Sequence, residues 1–464
     1  MKKRVLSLLM VLALCFTTLP TAVLAEELGT GTNEVQTEQQ IPEEQEPTEE
    51  QEPTEEQEPA EEQEPTDKQE PTDGQESTDG QESTDGQEST DGQESTEKKP
   101  AKAPKKAPAA VEHTGGHGGY TLPEGAVWQG VSEITAEMEA GNYYLTGNVT
   151  IYSTWKPQDG VVLCLNGYSI SLDNNGPVIE VQPGVTFTLC DCNGSNNLYD
   201  HGITHYSRGK GRGAGVLVGK TVKIGDTAGK NDAVFNMYGG AIFGNWPWTA
   251  SADNAASASG VLIGGGTFNM YGGKITENKL VEDGGIGGGV FVANQGSFNM
   301  SGGEISGNTA KEGGGVFVGG LYGHHDMYAF GGGTFTMTGG KISGNSVGGG
   351  VYVSAGSNTH FTVSGSAQIT DNQFGVDPQN VYLDEDKGES NTITVDGTLD
   401  STASIGVTVP TPKSGDVNQL VASNISKANA KHFFSDSSKY RLKRDSGANT
   451  LTMVAVMEHN HSVC

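Results

Sequence analysis

Residues 287–308 read GGGVFVANQGSFNMSGGEISGN, and the reading of this one stretch decides the fold. Its second half recurs as FNMYGGAIFGN from Phe235, FNMYGGKITEN from Phe268, FTMTGGKISGN from Phe335 and a looser FTVSGSAQITDN from Phe361. Its first half recurs as GAGVLV ending at Val218, SGVLI at Ile263, GGGVFV again at Val318 and GGGVYV at Val353. The phenylalanines are 33, 30, 37 and 26 residues apart, yet the first four copies all run ten residues from Phe to a closing Asn. A rigid unit joined by stretchable connections is the mark of a repeat architecture. Apolar residues alternate within the unit (Val290 and Val292, then Phe298 and Met300), and period two means strands. Gly-Gly and Gly-Asn break the runs where the chain must bend, because both residues tolerate positive φ.

A unit of this length cannot bury an apolar face alone, whereas stacked units can, with equivalent positions about 4.8 Å apart in parallel sheets. The expected fold is therefore all-β: a parallel β-helix solenoid with three strands per coil, right-handed by the general crossover rule. A leucine-rich horseshoe would need a Leu-x-x-Leu-x-Leu pattern that is absent. The coils are expected over residues 120–399, with 120 to about 141 covering the open end. A C-terminal cap follows over 400–457, including a short helix near Ser423–His432. LCLNGYSI (163–170), FTLCDC (187–192) and the GGGVFV/FNMSGGEISGN units resemble the right-handed β-helix modules of secreted Gram-positive surface proteins, the pectin-lyase-like group. The resemblance covers roughly residues 140–410 and implies a fold rather than an activity, since that fold hosts lyases, hydrolases, adhesins and spacers.

The chain opens MKKRVLSLLMVLALCFTTLPTAVLA, which reads as a secretory signal peptide over residues 1–25. No other apolar segment approaches membrane-spanning length. Residues 47–94 are eight acidic hexads, from PTEEQE to STDGQE, and residues 26–97 hold 27 of the chain's 58 acids without one aromatic residue. Such a segment cannot bury enough apolar surface to fold and reads as a disordered stalk. The linker 98–119 begins with a Lys/Pro/Ala run that reverses the charge and could touch an anionic wall polymer. The net charge of −30 belongs largely to the stalk, and with no basic face nucleic-acid binding is disfavoured. An exported protein at the cell wall or surface is expected. The ending EHNHSVC (458–464) reads as the start of a further segment, with His459, His461 and Cys464 as metal-capable residues at a spacing that makes only half a motif.

Outward strand positions show where chemistry could sit. Asn236, Asn269, Asn299, Thr336 and Thr362 form a neutral ladder; Ala241, Lys274, Glu304, Lys341 and Gln368 alternate charge in a way that suits pairing between coils. Neither gathers the carboxylates that a glycosidase or a calcium-dependent lyase needs. No catalytic or metal residue is assigned. Gly116-His117-Gly118 matches one element of a polygalacturonase signature whose other elements are missing, and reads as coincidence. Acidic turns at 384–389 and 191–197 are the only calcium candidates, and neither has EF-hand spacing. Cys164 and Cys190 follow a Leu one coil apart; a disulfide and a pair of free thiols are both open, and Cys192 has no evident partner.

If the valines of each V-x-V point inward, the central residues Leu217, Leu262, Phe291, Phe317, Tyr352 and Tyr382 point outward as an apolar, increasingly aromatic row. The inserts add Trp246, Trp248, Tyr322 and Tyr328. Flat rings with polar edges suit stacking on sugar rings, and they equally suit a lid over a strand face. The expectation is a binding or spacing module, adhesin-like, for carbohydrate or a surface protein. The competing expectation is a lyase or hydrolase of acidic polysaccharide using Arg208, Lys210 or Arg212 in the 201–213 insert.

Overall fold

The computed structural model describes residues 113–193, 201–206, 213–221, 229–246, 258–280, 285–320, 331–356, 358–386, 389–410 and 418–456, all within the unit formed by residues 100–464. The expected signal peptide, acidic stalk and Lys-rich run lie outside them.

The period-two alternation becomes three strands per coil in parallel register. The FNM strands, such as Thr267–Met270 and Ser297–Met300, lie in a 13-stranded sheet. The KIT-type strands (Lys274–Thr276, Glu304–Ser306) and the VFV strands (Val290–Ala293, Val316–Val318) form two columns of a 17-stranded sheet. Three short pairs at Lys279–Leu280, Thr309–Ala310 and Ser346–Val347 make a narrow sheet at one corner. These long parallel sheets are the expected parallel β-helix.

Register is enforced by like residues stacking on like. Phe235, Phe268, Phe298, Phe335 and Phe361 are direct partners on successive coils. Their rings stack nearly parallel at 4.8–5.0 Å between centroids, all within the buried core. A slip of one residue would turn every such ring outward, so one register is strongly preferred. The second glycine of each Gly-Gly turn has positive φ, as at Gly303 (82°). A Cβ there would lie 2.8 Å from the Gly273 carbonyl oxygen, so the turn needs glycine for both conformation and space.

The closing asparagines do more than bend the chain. Asn245, Asn278, Asn308, Asn345 and Asn372 are buried and bonded side chain to side chain at 2.9–3.0 Å, and the ladder continues to Asn380. Each Oδ1 from Asn278 onward also accepts the backbone N–H of the preceding asparagine, at 3.0–3.2 Å. His205 begins the ladder and the Asp436 carboxylate ends it on Asn380. A buried amide is stable only if its donors and acceptors are met, and here an identical residue on the next coil meets them.

Parallel pairing is present in both segments expected to close the solenoid. Trp128–Val131, in the segment read as a cover, is already a parallel strand against Gly141–Leu145. Ser404–Thr408 still pairs in parallel with the preceding coil. In the 13-stranded sheet parallel stacking stops where Asn418–Ser423 meets Thr450–Ala455 antiparallel, itself paired with Tyr440–Asp445, whereas in the 17-stranded sheet Phe433–Ser435 still stacks in parallel on Ser404–Thr408. The one short helix described, Lys427–Ala430, falls where a helix was expected and is capped by Ser426, whose Oγ accepts from Asn429 N at 3.1 Å.

Candidate functional site

The V-x-V valines face the core, and their central residues do point away from it. Four of the six are nevertheless buried, while Tyr352 and Tyr382 are half-buried. Leu217, Leu262, Phe291 and Phe317 are buried with Ala214, Ala258 and Ile286 as a second apolar cluster, and Tyr352 packs against it. At Phe291 and Phe317 the preceding glycines come close: a Cβ on Gly287 would lie 2.6 Å from Phe291 Cβ, and one on Gly313 2.8 Å from Phe317 Cβ. The glycines let the chain fold back over the ring that follows them. Phe317, Tyr352 and Tyr382 stack at 5.0 and 5.1 Å. Burial, with the Glu312 and Asp384 carboxylates nearby, holds the Tyr352 hydroxyl far above the ordinary phenol range. Burial, followed by Asp384, pushes that of Tyr382 up to about 12. Trp246 is half-buried and tied to the coil, donating Nε1–H to Glu277 O at 3.0 Å with Lys279 over its ring. Trp248, Tyr322, Tyr328 and the cationic insert residues Arg208, Lys210 and Arg212 lie outside the described residues.

One accessible face among the described residues is the outer side of the 13-stranded sheet. Asn299 donates to Asn269 and Asn269 to Asn236, each at 2.9 Å, so the three asparagine rungs of the expected neutral ladder are hydrogen-bonded to one another. Two residues further along the same strands, Tyr238 and Tyr271 stack at 4.5 Å, and Tyr271 is 43% exposed. On the neighbouring sheet Lys274 pairs with Glu304 at 3.6 Å, the charge pairing expected there.

A third arrangement was not legible in the sequence. Where residues 113–122 cross the outer face of the first coils, His113, His117, Cys164 and Cys192 bring one ligand-type atom each to within 4.8 Å of one another. Cys164 and Cys190 are register partners on adjacent strands, as their spacing implied, and both are free thiols, as is Cys192. His113 Nε2 lies 3.3 Å from Cys192 Sγ, and its ring stacks on Tyr144 at 4.2 Å. The His117 ring packs on Trp128 at 4.7 Å. Burial lowers the pKa of both imidazoles, which favours their neutral forms. A hydrogen bond with Cys190 and burial raise the Cys164 thiol far above its usual value, and burial beside Cys164 pushes Cys192 up to about 12. Next to them Asp191, named above in a calcium-candidate turn, is committed elsewhere. Its Oδ1 accepts from Gly167 N (2.9 Å) and Asn193 N (3.2 Å), and its Oδ2 lies 3.1 Å from His201 Nδ1.

The shallow cleft at the C-terminal end is lined by Asp371, Gln373, Phe434 and Asp436. Asp436 is held by Asn380 and by the Thr408 hydroxyl (2.7 Å), so it serves as the terminus of the asparagine ladder.

In class, then, this is an all-β parallel solenoid with internal residue ladders and a histidine–cysteine cluster at its N-terminal coils. Comparison with protein-family models, with curated proteins and with solved structures finds no match for the chain.

Proposed function

We propose that this chain is an exported, surface-associated β-helix module of the right-handed, pectin-lyase-like kind, which binds or spaces rather than catalyses and takes carbohydrate as its ligand. The observation that carries this reading is the outer face of the 13-stranded sheet. A row of side-chain amides at Asn236, Asn269 and Asn299 runs beside the stacked Tyr238 and Tyr271. Amides offer both donors and acceptors to hydroxyl groups, and a tyrosine face takes the apolar side of a pyranose ring. Repetition at the coil spacing presents the same chemistry several times along one line, which suits a polymer. In the cleft at the C-terminal end Asp436 is bonded to Asn380 and Thr408, which favours a structural role for this carboxylate. The signal peptide and acidic stalk support placement at a wall or surface.

The test is binding of the full chain to an array of host and wall glycans. Binding that falls at least about tenfold in Tyr271→Ala and in Asn299→Ala is the expected result. Failure to bind any glycan would reduce the protein to a spacer or point to a protein partner. Release of unsaturated or reducing sugar from pectin, alginate or mucin would instead make it an enzyme.

A further inference from the structure

We infer that His113, His117, Cys164 and Cys192 form a tetrahedral site for a zinc-type dication, which clamps the segment entering the solenoid onto its first coils. Two neutral imidazoles and two thiols that lose their protons on binding are a donor set typical of structural zinc. Ideal tetrahedral zinc with Zn–N near 2.0 Å and Zn–S near 2.3 Å places its N and S ligands roughly 3.5 Å apart. The His113 Nε2–Cys192 Sγ separation of 3.3 Å is already there, and the four atoms all lie within 4.8 Å. Closing on an ion therefore needs side-chain adjustment of about 1 Å or less, with no change in the coils.

Independent observations point to a ligand. His117 is only 7% exposed, yet its Nδ1, a nitrogen able to ligate a metal, is buried with no hydrogen-bond partner among the described residues, and the Trp128 ring packs on both histidines. Buried polar atoms are rarely left in this state without a reason. The backbone is also shaped to bring the histidines in. A Cβ on Gly115 would lie 2.6 Å from Cys192 Cβ, and one on Gly118 (φ 66°) would lie 1.8 Å from the Tyr238 carbonyl oxygen. Only glycine at these two places lets 113–118 lie flat enough for both imidazoles to reach the thiols. Tyr120 fixes the exit, its hydroxyl donating to Asn142 Oδ1 at 3.0 Å.

On binding, each thiol gives one proton to solvent and the two thiolates balance the dication, leaving a neutral buried centre. Cys190 abuts Cys164 but is outside the set, which makes it the natural control. The chain thus has a reason for its otherwise unmatched Cys192 and for the Gly-rich segment around His117.

The full-length chain, purified under reducing conditions and stripped with a chelator, is titrated with cobalt(II), then with zinc in competition. The expected result is one ion per chain, with the intense visible bands of tetrahedral cobalt and a thiolate-to-metal charge-transfer band, released by zinc. Cys192→Ser and His117→Asn should lower affinity by more than about 100-fold, beyond what loss of an outer partner costs, while Cys190→Ser retains the spectrum. Circular dichroism checks that each variant keeps its sheet content, and Cys192, partly exposed, is the variant least at risk of misfolding. Absence of the charge-transfer band in the parent chain, or its persistence in both ligand variants, overturns the inference. So does a disulfide involving Cys164 in the exported protein, found by mass spectrometry without reduction.

Discussion

Replacing Asn308 by alanine should destabilise the middle coils far more than the same replacement at Asn299, although both residues belong to asparagine ladders nine positions apart. Asn308 is fully buried. Its Nδ2 donates to Asn345 Oδ1 (3.0 Å), Ile275 O (2.8 Å) and Ser306 O (3.2 Å), and its Oδ1 accepts from Asn278 N (3.1 Å) and Nδ2 (3.0 Å). Alanine removes all five bonds. The Asn278 backbone N–H loses its acceptor in a dry interior, a penalty of about 1–3 kcal/mol. The other bonds contribute about 1 kcal/mol each before relaxation, but Asn278 Nδ2 keeps Ile242 O and Asn345 Oδ1 keeps the Asn308 N–H, so part is retained. The sum is a loss of roughly 3–5 kcal/mol. Asn299 is exposed, and water replaces what alanine removes, so its cost is about 1 kcal/mol or less.

Solenoids unfold by neighbouring units rather than all at once, so native-state hydrogen exchange, resolved to the peptides carrying Val290–Ala293, Glu304–Ser306 and Lys341–Ser343, is the appropriate assay. The opening free energy of these peptides should drop by the amounts above. Equal effects for Asn308→Ala and Asn299→Ala would refute the idea that the inner ladder holds the coils by unreplaceable hydrogen bonds.

Phe317→Ala should cost about 3–5 kcal/mol in denaturant unfolding without changing glycan binding, because the ring is buried under Gly313. A binding loss with unchanged stability would restore the aromatic row as a ligand platform. The protein should also lose thermal stability as pH rises. Tyr352 and Tyr382 have hydroxyl pKa values raised above the unfolded value of about 10, with Tyr382 at about 12. The folded state therefore favours the neutral phenols. That contribution is whole below pH about 10 and disappears as pH climbs toward 12. A melting temperature flat from pH 9 to 12 would contradict the burial of these hydroxyls, and Tyr352→Phe should flatten part of the slope.

What was legible in the chain was what repeats. Phe298, Met300, Ile305 and the flanking valines could be assigned to the core from alternation alone, and the copies supplied the register. The closing asparagines were legible as turn residues only; their interior ladder requires knowing that the coil spacing brings one amide onto the next. The V-x-V centres were correctly turned away from the main core. What covers them was illegible, because glycines carry no apolar signal although they are what allows the chain to fold back. The histidine–cysteine cluster joins residues 79 positions apart, Cys192 to His113. Its one local trace was the His-x-x-x-His of His113 and His117, which alone is commonplace, because Cys164 and Cys192 lie a coil apart in the chain.

Interior and exterior of this solenoid thus use the same residue to opposite ends. An asparagine inside has every hydrogen-bonding group engaged by its neighbours and contributes register. An asparagine outside, such as Asn299, is engaged on one side and keeps its oxygen for whatever arrives. The core ladders do not depend on the inserts, since Phe, Val and Asn stack coil on coil whether 26 or 37 residues separate them. Insert length and composition can therefore vary with little energetic consequence for the fold, as loop-closure entropy grows only slowly with length. A surface module built this way separates the residues that specify structure from those that meet the outside, and altering the outer face should leave the coils intact.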